Sequence, residues 1–274
     1  MKHTFLLLAL NIISIVAIAQ TSETVATEPQ LPVDSSLVNV RRTAPVTKPE
    51  ADSAYAAEHF DEAIALYRQL TDSLGESPQI YYNIGNCYFR QDSIARAILY
   101  YERALLLDPS NDDARFNLDI ARSKTVDRVV PASEMFFLQL FHSLILSLSI
   151  SRWAIIAIAS FILALICMAV YLFVPNITAK KLSFAAAVLL VVVTVFANIA
   201  AFEQRSHIRN RTEAIIMAPS AVVKSTPSAS GTDLFILHEG THVHIIDNTM
   251  RDYVEVQLTD GKQGWIPRIL IEII

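Results

Sequence analysis

Apolar and polar positions follow three different rhythms along the 274-residue chain. Two uncharged apolar runs, Trp153–Val174 and Leu182–Phe202, stand seven residues apart. Each is long enough to cross a hydrocarbon core of roughly 30 Å as a helix rising about 1.5 Å per residue. In lipid a helix satisfies its own backbone groups, so it is the form such a run takes. Residues 175–181 suffice only for a loop, and the runs therefore predict a transmembrane hairpin at 153–174 and 182–202. Whatever precedes the first run and follows the second must then share one side of the membrane. Neither run contains an Asp, Glu, His, Lys or Arg that could carry a proton or an ion, which argues against transport. Asn198 lies near the outer end of the second, able to bond across the hairpin or to reach the interface.

Ahead of the hairpin the rhythm is helical and repeats. Tyr81-Tyr82-Asn83-Ile84-Gly85-Asn86-Cys87-Tyr88 leads on to Ala97-Ile98-Leu99-Tyr100-Tyr101-Glu102-Arg103-Ala104-Leu105 and stops at Pro109. Thirty-four residues earlier Ala63 and Tyr67 match Ala97 and Tyr101, and Asp112–Arg122 begins a further copy with Leu118 in register. Small residues at Gly85 and Ala97 permit two antiparallel helices to cross closely, with Tyr88, Tyr101 and Leu105 filling the space around them. This pattern resembles the tetratricopeptide repeat (TPR), and predicts an all-α solenoid over residues 50–122: two repeats and a capping helix. The resemblance implies a concave groove, lined by the first helix of each repeat, that takes an extended peptide or a partner domain. Its candidates here are Tyr55, Tyr82, Asn86, Phe89, Arg90, Phe116 and Asn117. Some members clamp a terminal carboxylate with asparagines and lysines. Asn86 and Asn117 occupy such positions, but the lysines are replaced by Tyr82 and Asp113. Residues 51–122 carry twelve acidic and six basic side chains, which also disfavours an anionic ligand and favours a protein partner.

Between these regions, residues 123–152, the run Phe136–Ile150 is short for a span. It gathers Gln139, His142, Ser143 and Ser149 on one helical side, and reads as an amphipathic helix at the membrane interface. Arg152 and Trp153 would anchor the start of the span. At the other extreme, residues 1–19 combine Lys2, an apolar stretch and Ala17-Ile18-Ala19, the layout of a secretory signal. Residues 20–49, rich in Ser, Thr, Pro and Val, read as a flexible tether. An exported N-terminal arm puts both arms outside and Lys180 and Lys181 inside, although Arg152, Arg205, Arg209 and Arg211 flank the outer ends.

After the hairpin, residues 212–274 alternate in short β-type runs: 214–216, 221–223, 234–237, 243–246, 253–258 and 264–266, with Asp260-Gly261 as a turn. Five or six strands in about 60 residues predict a small all-β barrel. Leu237-His238-Glu239-Gly240-Thr241 and Asp260-Gly261-Lys262-Gln263-Gly264-Trp265-Ile266 resemble the bacterial SH3-like domain, whose members include cell-wall binders and plain interaction modules. His238-Glu239-Gly240-Thr241-His242 also spells the zinc-protease pattern. That chemistry needs both histidines on one helical face with the glutamate activating water. Gly240 and the alternation beginning at Val243 predict a turn into a strand instead, and no third ligand is evident unless His244 serves. No metal, cofactor or catalytic residue is therefore assigned.

Net charge adds an exclusion. At −5, the chain has no electrostatic basis for nucleic-acid binding. Its two cysteines, Cys87 and Cys167, fall in different regions and form no ligand pattern. The whole order, from signal and TPR through an interfacial helix and two spans to an SH3-like domain, resembles the BatE-type proteins of the Bat aerotolerance operons. That resemblance implies a non-enzymatic, two-pass inner-membrane scaffold with both modules in the periplasm. It would work beside membrane-anchored von Willebrand A-domain proteins and a MoxR-type ATPase in oxygen tolerance or envelope stress. A peptidoglycan-binding sensor and, more remotely, a metallopeptidase are the other readings.

Overall fold

The computed structural model describes residues 46–127, 144–145 and 147–274, except for the side chain of His207. The secretory signal, the tether up to residue 45 and most of Phe136–Ile150, including His142, lie outside the described residues.

Five helices build the repeats: α1 (Lys48–Ala56), α2 (Phe60–Leu74), α3 (Pro78–Arg90), α4 (Ile94–Leu107) and α5 (Asp112–Ser123). The first begins inside the expected tether, where Pro49 suits an opening helical turn. The 34-residue period is visible in the backbone. Glu58 and Asp92, one period apart, both adopt positive φ (+61° and +57°). The bonds closing these turns also correspond, His59 N–H to Ala54 O and Ser93 N–H to Tyr88 O. Gly85 is required by packing, since a Cβ there would stand 2.7 Å from the ring of Tyr101. Asn111 caps α5 by accepting from the Ala114 N–H at 3.0 Å. On α5, Leu118 is buried in register while Phe116 and Ile120 remain exposed.

The two apolar runs form α6 (Ile150–Phe173) and α7 (Ile177–Asn210), both long and apolar enough to cross a membrane. They pack as an antiparallel hairpin. Large residues such as Ile155, Ile162, Leu189 and Val192 face outward, and small ones face inward: Ala157, Ser160 and Ala164 on α6, Ala187, Thr194, Ala197 and Ala200 on α7. Ser160 Oγ and Thr194 Oγ1 lie 2.8 Å apart across the interface. Asn198, by contrast, bonds within its own helix, to Thr194 O at 2.8 Å. Trp153 fixes one end, its indole N–H donating to Ile145 O at 3.0 Å and its ring meeting Phe196 edge-on.

The expected loop over 175–181 is shorter than its sequence implied. Asn176 accepts from the N–H groups of Thr178 and Ala179, capping α7 so that Lys180 and Lys181 already belong to the helix. At its other end α7 continues eight residues past Phe202, about 12 Å at the helical rise. It stops at Arg211, whose φ of +37° turns the chain toward the first strand.

Seven strands follow: β1 (Glu213–Ile216), β2 (Ser220–Lys224), β3 (Asp233–His238), β4 (His242–Asp247), β5 (Tyr253–Gln257), β6 (Gln263–Pro267) and β7 (Ile271–Ile273). They form one antiparallel sheet in the order β3-β2-β6-β5-β4-β1-β7. Six of the seven were legible as alternating runs; β7 was not, because its Ile-Glu-Ile is too short to stand out. Inward residues from β1 to β6, among them Ala214, Val223, Leu237, Val243, Val256 and Ile266, meet in one cluster, so the sheet curls around its core. The strand order keeps β3 and β7 as edges, and the described pairings do not close the sheet into the expected barrel.

The repeats and the sheet touch directly. In β1, Ala214 and Ile216 point into the sheet core, whereas Ile215 points the opposite way into the core of the repeats, as does Ile274. This strand is consequently buried on both faces. Direct contact puts both parts at the same end of the hairpin.

Candidate functional site

Among the described residues, polar chemistry gathers along the first helices of the repeats, the face the resemblance makes a groove, and at the seam where the sheet docks. In the groove, Tyr82, Asn86 and Asn117 form one hydrogen-bonded set around the buried Tyr101. Tyr101 O–H donates to Asn86 Oδ1 at 2.7 Å, and Asn117 Nδ2 donates to that oxygen at 3.0 Å and to Tyr82 Oη at 3.2 Å. Tyr55 lines the adjoining cavity of about 240 Å³ together with Lys48, Asp52, Tyr67, Gln79, Asn83 and Asn86. Three of the seven residues anticipated from the sequence thus interlock, and a fourth adjoins them. The rest are placed differently. Phe89 lies under the Lys124 ammonium, 4.7 Å from its ring centre. Arg90 bonds Glu58 at 2.8 Å and covers the Phe60 ring, stitching α3 to the α1–α2 turn. Phe116 stands exposed on α5.

Sequence reasoning missed Asp52, Tyr67 and Asn83. Tyr67 O–H donates to Asp52 Oδ1 at 2.6 Å, and Asn83 Nδ2 reaches Tyr67 Oη at 3.2 Å. These positions precede Asn86, Tyr101 and Asn117 by 34 residues each, so the period already recognised would have found them. Burial and the hydrogen bond to Asp52 push the Tyr67 phenol upward. Burial alone would raise the Asp52 carboxyl, but bonds from Lys48 and Tyr67 hold it below its ordinary value. At neutral pH this copy therefore carries a carboxylate and a neutral phenol donor. Beneath the groove, burial pushes the Cys87 thiol up to about 12, leaving it a packed, protonated group.

The seam absorbs the histidine motif. His238 ends β3, Gly240 turns with φ +82°, and His242 opens β4, so the motif runs strand–turn–strand rather than along a helix. Its histidines meet different carboxylates. Asp127 Oδ1 pairs with His238 Nδ1 at 2.8 Å, and its Oδ2 accepts from the His238 backbone N–H and the Thr241 hydroxyl. His242 Nε2 faces Glu213 at 3.5 Å. Burial by itself opposes protonation of His242, but the bond to Glu213 and the nearby Glu102 outweigh it, and its pKa rises. Glu102 also pairs with Arg122. Farther along the seam Arg103 donates to Ile273 O at 2.6 Å and pairs with Glu272, while Arg211 pairs with Glu76. A Cβ on Gly240 would come within 2.7 Å of Thr125 and 3.1 Å of Ile98.

Residues 49–114, spanning α1 to the start of α5, match the tetratricopeptide repeat family model. No curated protein and no solved structure matches the chain. The chain is thus one that contains TPRs, followed by two apolar helices and an antiparallel sheet, and its repeats point to a role in protein–protein interaction.

Proposed function

We propose that this protein is a non-enzymatic membrane adaptor that assembles a complex through its TPR groove. The observation that carries the reading is where the sheet sits. It docks against α4 and the segment after α5, through Ile98, Arg103 and Asp127, and the polar set of Tyr82, Asn86 and Asn117 makes none of these contacts. A groove left open by the docked sheet is positioned to take a partner. The hairpin anchors the repeats and the sheet together, with α7 running into β1 through Arg211 and Thr212. From the export signal we further place both modules on the periplasmic side of an inner membrane. From the resemblance to BatE-type proteins we take other membrane-anchored Bat-type proteins as the partners. Crosslinking and co-purification from membranes test this: changing Tyr82 and Asn86 to Ala should remove partners that the wild-type chain retains. Recovery of the same partners with the groove altered would end the reading.

A further inference from the structure

The groove carries the same polar device twice, and the two copies differ in charge. In the first, Tyr67 donates to Asp52 Oδ1 at 2.6 Å and Asn83 Nδ2 lies 3.5 Å from that oxygen. In the second, Tyr101 donates to Asn86 Oδ1 at 2.7 Å and Asn117 lies 3.0 Å from it. The tyrosine and the second asparagine are conserved between copies, while the acceptor is a carboxylate at residue 52 and an amide at residue 86. Among the described residues, the other carboxylate oxygen of Asp52 bonds Lys48 Nζ alone, at 2.7 Å, in a solvent-exposed pair one helical turn apart. Exposed pairs of this kind contribute little, so an incoming cation can displace Lys48 at small cost. The first copy opens into the cavity beside the Tyr55 ring, and an aromatic face next to a carboxylate suits an ammonium or guanidinium group. One period on, Lys48 is replaced by Tyr82, Asp52 by Asn86 and Tyr55 by Phe89, so the carboxylate is gone and the Lys124 ammonium already covers the Phe89 ring.

We infer that the groove selects an extended protein segment that seats a lysine or arginine side chain at Asp52 and an uncharged side chain at Tyr82 and Asn86. This rests on the reading that a partner occupies the groove. The excess of acidic over basic residues in the repeats adds a longer-range attraction for a basic segment.

The test uses the full-length chain in lipid nanodiscs and a library of random heptapeptides, acetylated and amidated so that terminal charges play no part. Peptides retained by the wild-type chain should share one position enriched in Lys or Arg. Asp52→Asn should weaken them by about tenfold or more, as loss of a charged partner does. This variant can keep its bonds to Tyr67 and Asn83, because Asn86 makes the equivalent ones. Asn86→Asp should create a second basic position. Selected peptides lacking a basic preference, or a preference unchanged in Asp52→Asn, would overturn the inference. The groove reading would survive that result if Tyr55→Ala and Tyr82→Ala still abolished binding. If no peptide depends on Tyr55, Tyr82 or Asn86, both fail.

Discussion

Gly240 illustrates how one residue can serve two constraints. Its φ of +82° lies where a Cβ is disfavoured, and the missing side chain leaves room for Thr125 and Ile98 of the repeats. Gly240→Ala should therefore cost about 1–3 kcal/mol, combining backbone strain with overpacking. Denaturant unfolding in detergent would register it, and Gly261→Ala supplies the control. Gly261 has a similar φ of +90° with nothing near its Cβ, so it reports the strain alone. At this scale the sequence is a partial guide. Gly240 was recognisable as a turn residue, but the packing against it comes from residues more than 110 positions away.

Between elements, the seam titrates. Although burial opposes it, the pKa of His242 is raised by Glu213 on the paired strand β1 and, across the seam, by Glu102, so its contribution to β1 and to docking is complete below about 6.5 and disappears as pH rises through the raised value. Asp127 behaves oppositely. Burial alone would raise its carboxyl, but bonds from His238 and Thr241 hold it down, so its contribution is present above about 3.8 and is lost as pH falls through the lowered value. Docking should thus weaken on moving from about pH 6 to about pH 9. Hydrogen exchange in β1 and α4 should show that loss, and it should flatten in His242→Gln. In the hairpin, Ser160→Ala and Thr194→Val should couple by only about 0.6 kcal/mol in a double-mutant cycle. Both hydroxyls also bond backbone carbonyls of their own helices, Ala157 O and Leu190 O, so each keeps an alternative partner.

For the whole molecule, cooperation between repeats and sheet depends on β1. Ile215 is fully buried among the repeats although its neighbours belong to the sheet core. Ile215→Ala should cost about 2–5 kcal/mol. It should also split a single unfolding transition into two, followed by hydrogen exchange in α4 and β5. A single transition in the variant would show that the two parts hold together without this residue.

The features legible in the sequence were those encoded locally. The repeats, the hairpin and six strands arise from 34-residue, unbroken-apolar and alternating patterns, each a property of neighbouring residues. The resemblance to the TPR named Asn86 and Asn117 as groove candidates, and the 34-residue period carries the same polar positions back to Asp52 and Asn83 beside Tyr67. The turn into a strand at the histidine motif was legible from Gly240 and the alternation after it, but only the tertiary structure supplied the motif's partners: Asp127, the group that engages His238, lies 111 residues away. The tertiary structure likewise decided that β1 is covered on both faces and that the sheet settles on α4, away from Tyr82, Asn86 and Asn117. Such contacts join chain segments that pattern treats separately, and they form because Ile215 and Ile274 withdraw their apolar surface from water when they enter the core of the repeats.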